Sequence, residues 1–451
     1  MSYEQPGIED VDLSARLDIA SGNAYYEMED SLAHPNDSPM SAGPMGWVVR
    51  GPWAVSHLAD LMYSSRQAPF LVTETNAGSI GFSSMNQSPY DGQWRQAAWL
   101  LVARGARMIS YWHWNTLAFG AETSWGGVLP HSGEPGRVYR ELATLGDELG
   151  RAGDAFADAE PDFDVAVLYD SDSKLALATQ APFSAPGQFF DPDSYRRIVG
   201  AFTRGVFDAQ RQQRLVRPRQ LLPARGGELS ADQAAARYPV LVVPGFYTAG
   251  DEDLDFLIAY AESGGHLVLG PRSGYADREG RPREERQPAG LSSSAGVGYD
   301  ELATLSDPVP VSGELLTGAA TLVAELLEPA DAEVLAGYVH PHLGSWAAVT
   351  TREVGSGRIT VVGTVPDQAL AESLVRWLAP EPAGGWQLPA SVTVATSSVP
   401  GGRLHVLHNW SWDTQTVSAP TSLRDLLTDE EVVPGSTLQI GSWDVRVFTH
   451  N

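Results

Sequence analysis

The stretch Ala68–Gly78, APFLVTETNAG, restricts the folds open to this chain more than any other. Phe70 to Thr73 form a short run of the kind that fills a buried parallel strand, and Glu74 follows where the pattern turns polar. A carboxylate in that place needs a physical reason. In a (β/α) barrel the catalytic groups stand at the C-terminal ends of the strands, where the chain leaves the packed interior and enters the loops. Glu74 therefore reads as an active-site carboxylate, with a solvated glutamate opening an ordinary loop as the alternative.

The flanking stretches alternate in the same way. Gln93 to Ala106 carries Trp94, Ala97, Ala98 and Leu101 at amphipathic-helix spacing, with Gly105 suited to the helix end. Met108 to Trp114 (MISYWHW) predicts a second strand, and Val138, Leu142, Leu145 and Leu149 a helix beginning at Arg137. Upstream, Arg16 to Ala20 is a strand candidate leading into SGNAYYEMED. The segment from His34 to Gly51 is rich in Pro, Gly and Ser and reads as a loop. Pro52 to Ser65 then gives Val55, Leu58, Leu61 and Met62 as a helical stripe with proline in the first turn. Strand, helix, strand and helix at this spacing predict right-handed parallel βαβ units.

The succession APFLVTETNAG, DGQWRQAAWLLVARGA, YWHW, GAETSWGGVLPHS and EPGRVYREL resembles the nucleophile-bearing end of glycoside hydrolase family 42, the β-galactosidases, and particularly an actinobacterial branch. The resemblance implies that Glu74 is the nucleophile and that the first strand is the sixth of the barrel, with Asn23, Tyr25 and Tyr26 near the sugar. For Tyr26 a half-buried packing role is the preferred alternative. Glu122 matches the residue that hydrogen-bonds hydroxyls of bound galactose, a solvated loop carboxylate being the other reading. Trp125 replaces a histidine found in many members; indole can stack on a sugar and donate one hydrogen bond, but it can neither accept one nor titrate. Phe82 falls at a position that is often tryptophan. Trp112 and Trp114 are expected on one side of their strand and His113 on the other, the histidine reading as a packing residue and not as a metal ligand.

A retaining glycosidase also needs a protonated carboxyl group about 5 to 5.5 Å from the nucleophile. In the family it belongs to an Asn-Glu pair on the fourth strand, and no Asn-Glu dipeptide occurs in this sequence. The residues up to about 155 hold three βα units, against eight in a closed barrel. The expectation is therefore a chain that resembles the C-terminal part of a member, begins inside the catalytic domain and lacks the acid/base. Glu27, Glu29, Asp30 and Glu122 are the stand-ins, none in an acid/base context. The implied substrates are terminal β-D-galactosides or galacto-oligosaccharides, with α-L-arabinopyranosides, which lack the exocyclic CH2OH, as the alternative. The competing class is a noncatalytic sugar-binding or assembly protein, or a truncated gene fragment.

Composition narrows the partners. With 56 acidic against 30 basic side chains and a formal charge of −26, the surface repels nucleic acid and anionic membranes, so neither is expected as a partner. The absence of cysteine excludes disulfides, thiolate metal sites and a cysteine nucleophile. No charged-then-apolar leader and no apolar run of about 18 residues occurs, which predicts a soluble, cytoplasmic protein. Neither metal nor cofactor is expected: no GxGxxG follows a strand and no GxxxxGK[ST] occurs.

Beyond Asp162 the strand and helix alternation restarts. Phe163–Tyr169, Arg214–Arg217, Pro239–Gly245 and His266–Gly270 read as strands, Ser194–Gln212 and Asp251–Ser263 as helices, and Ser345–Thr351 with Arg358–Thr364 as a hairpin across Gly355-Ser356-Gly357, closed by a helix over Gln368–Leu378. By resemblance this is the family's noncatalytic trimerisation domain, implying a homotrimer. After a Pro/Gly linker, alternating Val392/Val394, Leu404/Val406/His408 and Trp443/Val445/Val447 predict a small sandwich, with Trp410 and Trp412 taken as its core. The expected class is α/β: the C-terminal part of a (β/α)8 barrel over 1–158, a flavodoxin-like doubly wound α/β domain over 159–380 and a small antiparallel β-sandwich over 386–451.

Overall fold

The computed structural model describes residues 8–36, 46–81 and 83–450. Two compact units are present, one from Asp10–Asp162 with Pro382–Asn451 and the other spanning Phe163–Glu381.

The first unit begins with α1 (Asp10–Ser14), β1 (Ala20–Tyr26), β2 (Val48–Val49), α2 (Pro52–Ser64), β3 (Phe70–Asn76), α3 (Gln93–Ala103), β4 (Ala106–Trp112) and α4 (Arg137–Ala152). The strands form one sheet in the order β2-β1-β3-β4, parallel throughout. The helices lie where their apolar stripes place them, and Val55, Leu58, Leu61, Met62, Trp94, Ala97, Ala98 and Leu101 are all buried. The first strand starts later than expected. Arg16–Ile19 are turns and bends, and the strand is the Ala20–Tyr26 stretch that the sequence suggested as a loop. Small residues at Ala20, Gly22 and Ala24 hid its period.

Helix α3 is buried on more than one side because it packs on α2, α4, β4 and the C-terminal strands. Ala98, Trp99, Leu145 and Phe156 share one apolar cluster with Leu404, Val406, Val445 and Val447. The C-terminal strands form an antiparallel sheet in which Val445–His450, Gly402–Asn409 and Val392–Val399 are consecutive neighbours and Glu160–Pro161 is the edge, beside a two-stranded sheet of Gln415–Ser418 and Thr437–Ile440. Trp410 is core as expected, its indole donating to Thr393. Trp412 is not: it is 61% exposed and lies against Tyr90, because the strand ends at Asn409 and alternation stops there.

In the second unit the parallel strands run in the order Gln213–Val216, Val165–Leu168, Val240–Val243, His266–Leu269, Gly357–Val362, which is the flavodoxin-like arrangement. The hairpin pairs Val354 with Gly357, and Gly355 takes φ +58 in the turn. Helix Ser194–Asp208 packs on helix Gln368–Leu378; a Cβ at Gly205 would come within 2.5 Å of the Ala371 Cβ, so this crossing requires glycine. The sheet continues through antiparallel strands Glu333–Tyr338, Val309–Ser312, Thr317–Glu325 and Leu302–Thr304, which sequence reasoning missed because Ala, Thr and Gly blur their alternation. Among the described residues no helix is long and apolar enough to cross a membrane.

Stability should depend on pH through His408. Its ring is buried and stacked on Trp410, with centroids 5.1 Å apart, and burial, reinforced by the Arg95 charge, pushes its pKa down to about 3. An unfolded chain takes up this proton near pH ~6.5, whereas the folded one does not. The contribution of the neutral ring is therefore complete above that pH and is lost progressively as pH falls toward 3. Asp170 and Asp208, raised to about 6 chiefly by burial, act in the opposite sense at mildly acid pH. A His408→Phe variant keeps the stack and cannot titrate. Urea unfolding at successive pH values should show wild type losing up to about 1.4 kcal/mol per pH unit relative to the variant below about pH 6.5; parallel curves would refute the assignment.

Candidate active site

Strand β3 carries an extra residue beside Glu74. Gly22 pairs with Val72 and Asn23 with Glu74 on one side, while Val72 pairs with Ile109 and Thr75 with Tyr111 on the other. Thr73 and Glu74 are thus accommodated by a bulge, a device that re-aims side chains next to active sites. The Thr73 hydroxyl stabilises it by donating to the Gly22 carbonyl at 3.2 Å and the Asn23 Oδ1 at 3.0 Å. Asn23 and Tyr25, two residues apart on β1, share one face. Asn23 Nδ2 donates to Glu74 Oε2 at 2.8 Å and the Tyr25 hydroxyl donates to the same oxygen at 2.9 Å. No donor among the described residues bonds Oε1.

Tyr25 is the electrostatic centre of the group. Burial, its hydrogen bond to Glu74 and the charges of Glu74 and Glu122, in that order, push its pKa far above the usual phenol value. It therefore remains a hydrogen-bond donor across any working pH. Glu122 is tied to the same group through Trp112, which packs against the Tyr25 cluster and bonds the Glu122 carboxylate.

Glu122 is positioned by the loop after β4. Trp112 Nε1 donates to Glu122 Oε2 at 3.2 Å, and the Trp125 N–H donates to the Glu122 carbonyl at 3.0 Å. This loop is docked on the loop after β3: the Gly126 N–H donates to the Ser79 carbonyl at 2.9 Å, and a Cβ at Gly78 would lie 2.8 Å from the Gly126 Cα. The end of β3 is itself clamped, since Asn76 bonds the Tyr26 N–H and carbonyl and Trp94 Nε1 donates to the Ala77 carbonyl. Tyr25, Val48 and Ile80 form a small apolar cluster against which Met85, Trp112 and Trp125 pack.

The structure thus brings Asn23, Tyr25, Glu74, Glu122 and Trp125 together; Phe82 lies outside the described residues. Tyr26 is 2% exposed, so it is buried where a half-buried packing residue was expected. Of the four carboxylates weighed as stand-ins, all but Glu122 are engaged elsewhere. Glu27 pairs with Arg50 at 2.6 Å and accepts from Ser31, Glu29 accepts from the Ser88 N–H, and Asp30 accepts from Tyr90. Trp112 and Trp114 do not share a side: the strand ends at Trp112, whose indole turns to Glu122, while Trp114 is exposed against Tyr139. His113 is half-buried, and its Nε2 has no hydrogen-bond partner among the described residues. A cleft of about 310 Å³ beside Ser79, Ser88, Thr116 and Arg137 contains none of the site residues. Sequence reasoning missed Asn76 and Trp47. The first could have been suspected from its place two residues after Glu74; the second had no signal, standing at the end of a segment rich in Pro, Gly and Ser.

Comparison with known proteins gives a consistent result. Residues 1–152 match a family profile described as β-galactosidase and residues 229–383 one described as β-galactosidase trimerisation domain. β-Galactosidase BgaH of Haloferax lucentense is 28% identical over 425 residues, covering 91% of this chain and 57% of that protein. β-Galactosidase LacZ of Heyndrickxia coagulans is 26% identical over 88% of this chain and 57% of its own length. The chain thus spans a little over half the length of these relatives. The crystal structure of β-galactosidase from Bacillus circulans sp. alkalophilus superposes with a TM-score of 0.82 at 20% identity, over 99% of this chain and 62% of that one, and so shares the fold. The β-galactosidase of the haloarchaeon Halorubrum lacusprofundi gives a TM-score of 0.78 at 25% identity over the same shares. With both profiles in order along one chain and the fold matched nearly end to end, the chain belongs to glycoside hydrolase family 42, the β-galactosidases.

Proposed function

We propose that this chain carries the nucleophile and much of the sugar pocket of a retaining glycosidase acting on terminal β-D-galactosides. The observation that supports it best is the double hydrogen bond on Glu74 Oε2, which orients the carboxylate and leaves Oε1 to attack. In this scheme Oε1 forms a bond to the anomeric carbon as the bond to the leaving oxygen breaks, and water later releases the galactosyl group. Glu122 accepts sugar hydroxyls, and Trp125 supplies an apolar wall. Glu27, Glu29 and Asp30 are held by other partners and Glu122 is given to the sugar hydroxyls, so unactivated galactosides such as lactose should turn over slowly with this chain.

On this proposal residues 1–158 hold the pocket, 386–451 form a supporting sandwich and 159–380 assemble a homotrimer. The assembly role is supported by the trimerisation-domain profile and by the exposure of Leu175, Phe189 and Phe190, at 54%, 95% and 55%, in the second unit. Sedimentation analysis should find a trimer, with Phe189→Ser/Phe190→Ser shifting it toward monomer; a monomeric wild type would exclude this assembly.

The nucleophile can be tested without the acid. A 2-deoxy-2-fluoro-galactoside with a dinitrophenyl leaving group departs without protonation, so the intact protein should gain a covalent galactosyl adduct by mass spectrometry, mapped to Glu74 and lost in Glu74→Gln. No adduct on a folded wild-type sample would favour a noncatalytic sugar-binding or assembly role. The arabinopyranosyl analogue, tested in parallel, reports whether the exocyclic CH2OH is required.

Tyr25→Phe removes one of the two donors on Oε2. A hydrogen bond to a charged group contributes about 1.5–3 kcal/mol, so trapping should slow by about 10- to 100-fold. An unchanged rate would mean that the phenol does not orient the nucleophile.

A further inference from the structure

Trp47 stands where nothing in the sequence suggested a functional side chain. It directly precedes β2, whose Val48 pairs with Tyr25 and is buried in the apolar cluster beside the pocket. The other end of this segment is held by the Arg50–Glu27 ion pair at 2.6 Å. The Trp47 ring meets Tyr25 edge-on, with centroids 5.1 Å apart and planes at 74°, and lies 6.1 Å from the Trp125 ring at 42°. Although anchored on these two sides, it is 40% exposed, whereas Tyr25 is 5% exposed.

The Tyr25 ring thus links a half-buried Glu74, which its hydroxyl bonds, to a Trp47 indole that keeps one side open to solvent. In a pocket that cleaves a terminal sugar, the bond to be broken lies at the nucleophile and the leaving group must have a path to solvent. An indole with an open face on that path meets the leaving group, and it prefers flat or C–H-rich partners.

We infer that Trp47, with Trp125, forms an aromatic wall for the group attached to the galactosyl unit and so determines aglycone specificity. This rests on the proposed galactoside pocket. The favoured aglycones are aryl groups and pyranose rings that present a C–H face; short alkyl groups gain nothing from the wall.

The test is equilibrium binding of two galactosides that are not cleaved, measured by titration calorimetry on the full chain: p-nitrophenyl β-D-thiogalactoside and methyl β-D-thiogalactoside. Trp47→Ala should weaken the aryl ligand by about tenfold and leave the methyl ligand within about twofold, and Trp47→Phe should retain most of the aryl affinity. Near-UV circular dichroism and urea midpoints confirm that the variants fold, and the phenylalanine variant covers a loosening of the loop by alanine. Equal weakening of both ligands would place Trp47 in the galactosyl site and overturn the inference. No weakening of either would make it a packing residue and overturn it as well. A folded wild type that binds neither ligand would refute the galactoside pocket itself, which is distinguishable because the failure then precedes any substitution.

Discussion

The nucleophile role proposed for Glu74 requires a fixed carboxylate with one oxygen unencumbered, and the bulge at Thr73–Glu74 sets the orientation. A regular β3 would continue the pairing of Val72 with Gly22 and put Thr73, not Glu74, opposite Asn23. The extra residue advances Glu74 into that place, so both donors from β1 converge on one oxygen. Thr73 then bonds Asn23 and the β1 backbone, which makes the bulge and the donor set a single hydrogen-bonded unit. Loss of either would disturb the other.

The bulge is held by a helix that carries unusually many buried polar side chains. Along one stretch of α3, Gln93 accepts from the Glu29 and Tyr90 N–H groups, Trp94 donates to the end of β3, and Gln96 donates to the Asn409 carbonyl. Arg95 donates to both oxygens of Glu148 at 2.9 and 2.7 Å and to Asp444 at 2.6 Å. Burying such groups is tolerable because nearly all find a partner, the Gln96 side-chain carbonyl oxygen excepted among the described residues, and removing the Arg95 cation from so enclosed a pair would cost on the order of 3 kcal/mol. Helix α3 thus connects strand β3, helix α4 and the C-terminal strands, and the position of Glu74 depends on packing beyond the candidate site.

Much of this was legible in the residues. Apolar stripes placed α2, α3 and α4 within a few residues, and the run before Glu74 located β3 and the carboxylate at its end. The Ala-Ser-Gly strand β1 was misplaced because small residues carry no clear period, even though its Asn23 and Tyr25 were identified through the family resemblance. Trp412 was misjudged because alternation was carried past the end of a strand. Trp47 and the bulge lay beyond reach for a different reason. Both depend on which residues meet across strands, and neither single-residue chemistry nor periodicity encodes register.

Two acidic side chains acting on one buried phenol also restrict what the pocket can hold. Glu74 and Glu122 both push Tyr25 toward its neutral form, and the chain as a whole carries a formal charge of −26. An anionic sugar, such as a uronic acid, would bring a third negative charge into a half-enclosed space and be disfavoured by Coulomb repulsion. A neutral galactoside brings no such cost. As its glycosidic bond breaks, positive charge develops on the ring, and the carboxylates that repel an anion attract that charge. On the proposed function, the same electrostatics would therefore select a neutral sugar in the ground state and stabilise a cationic one in the transition state.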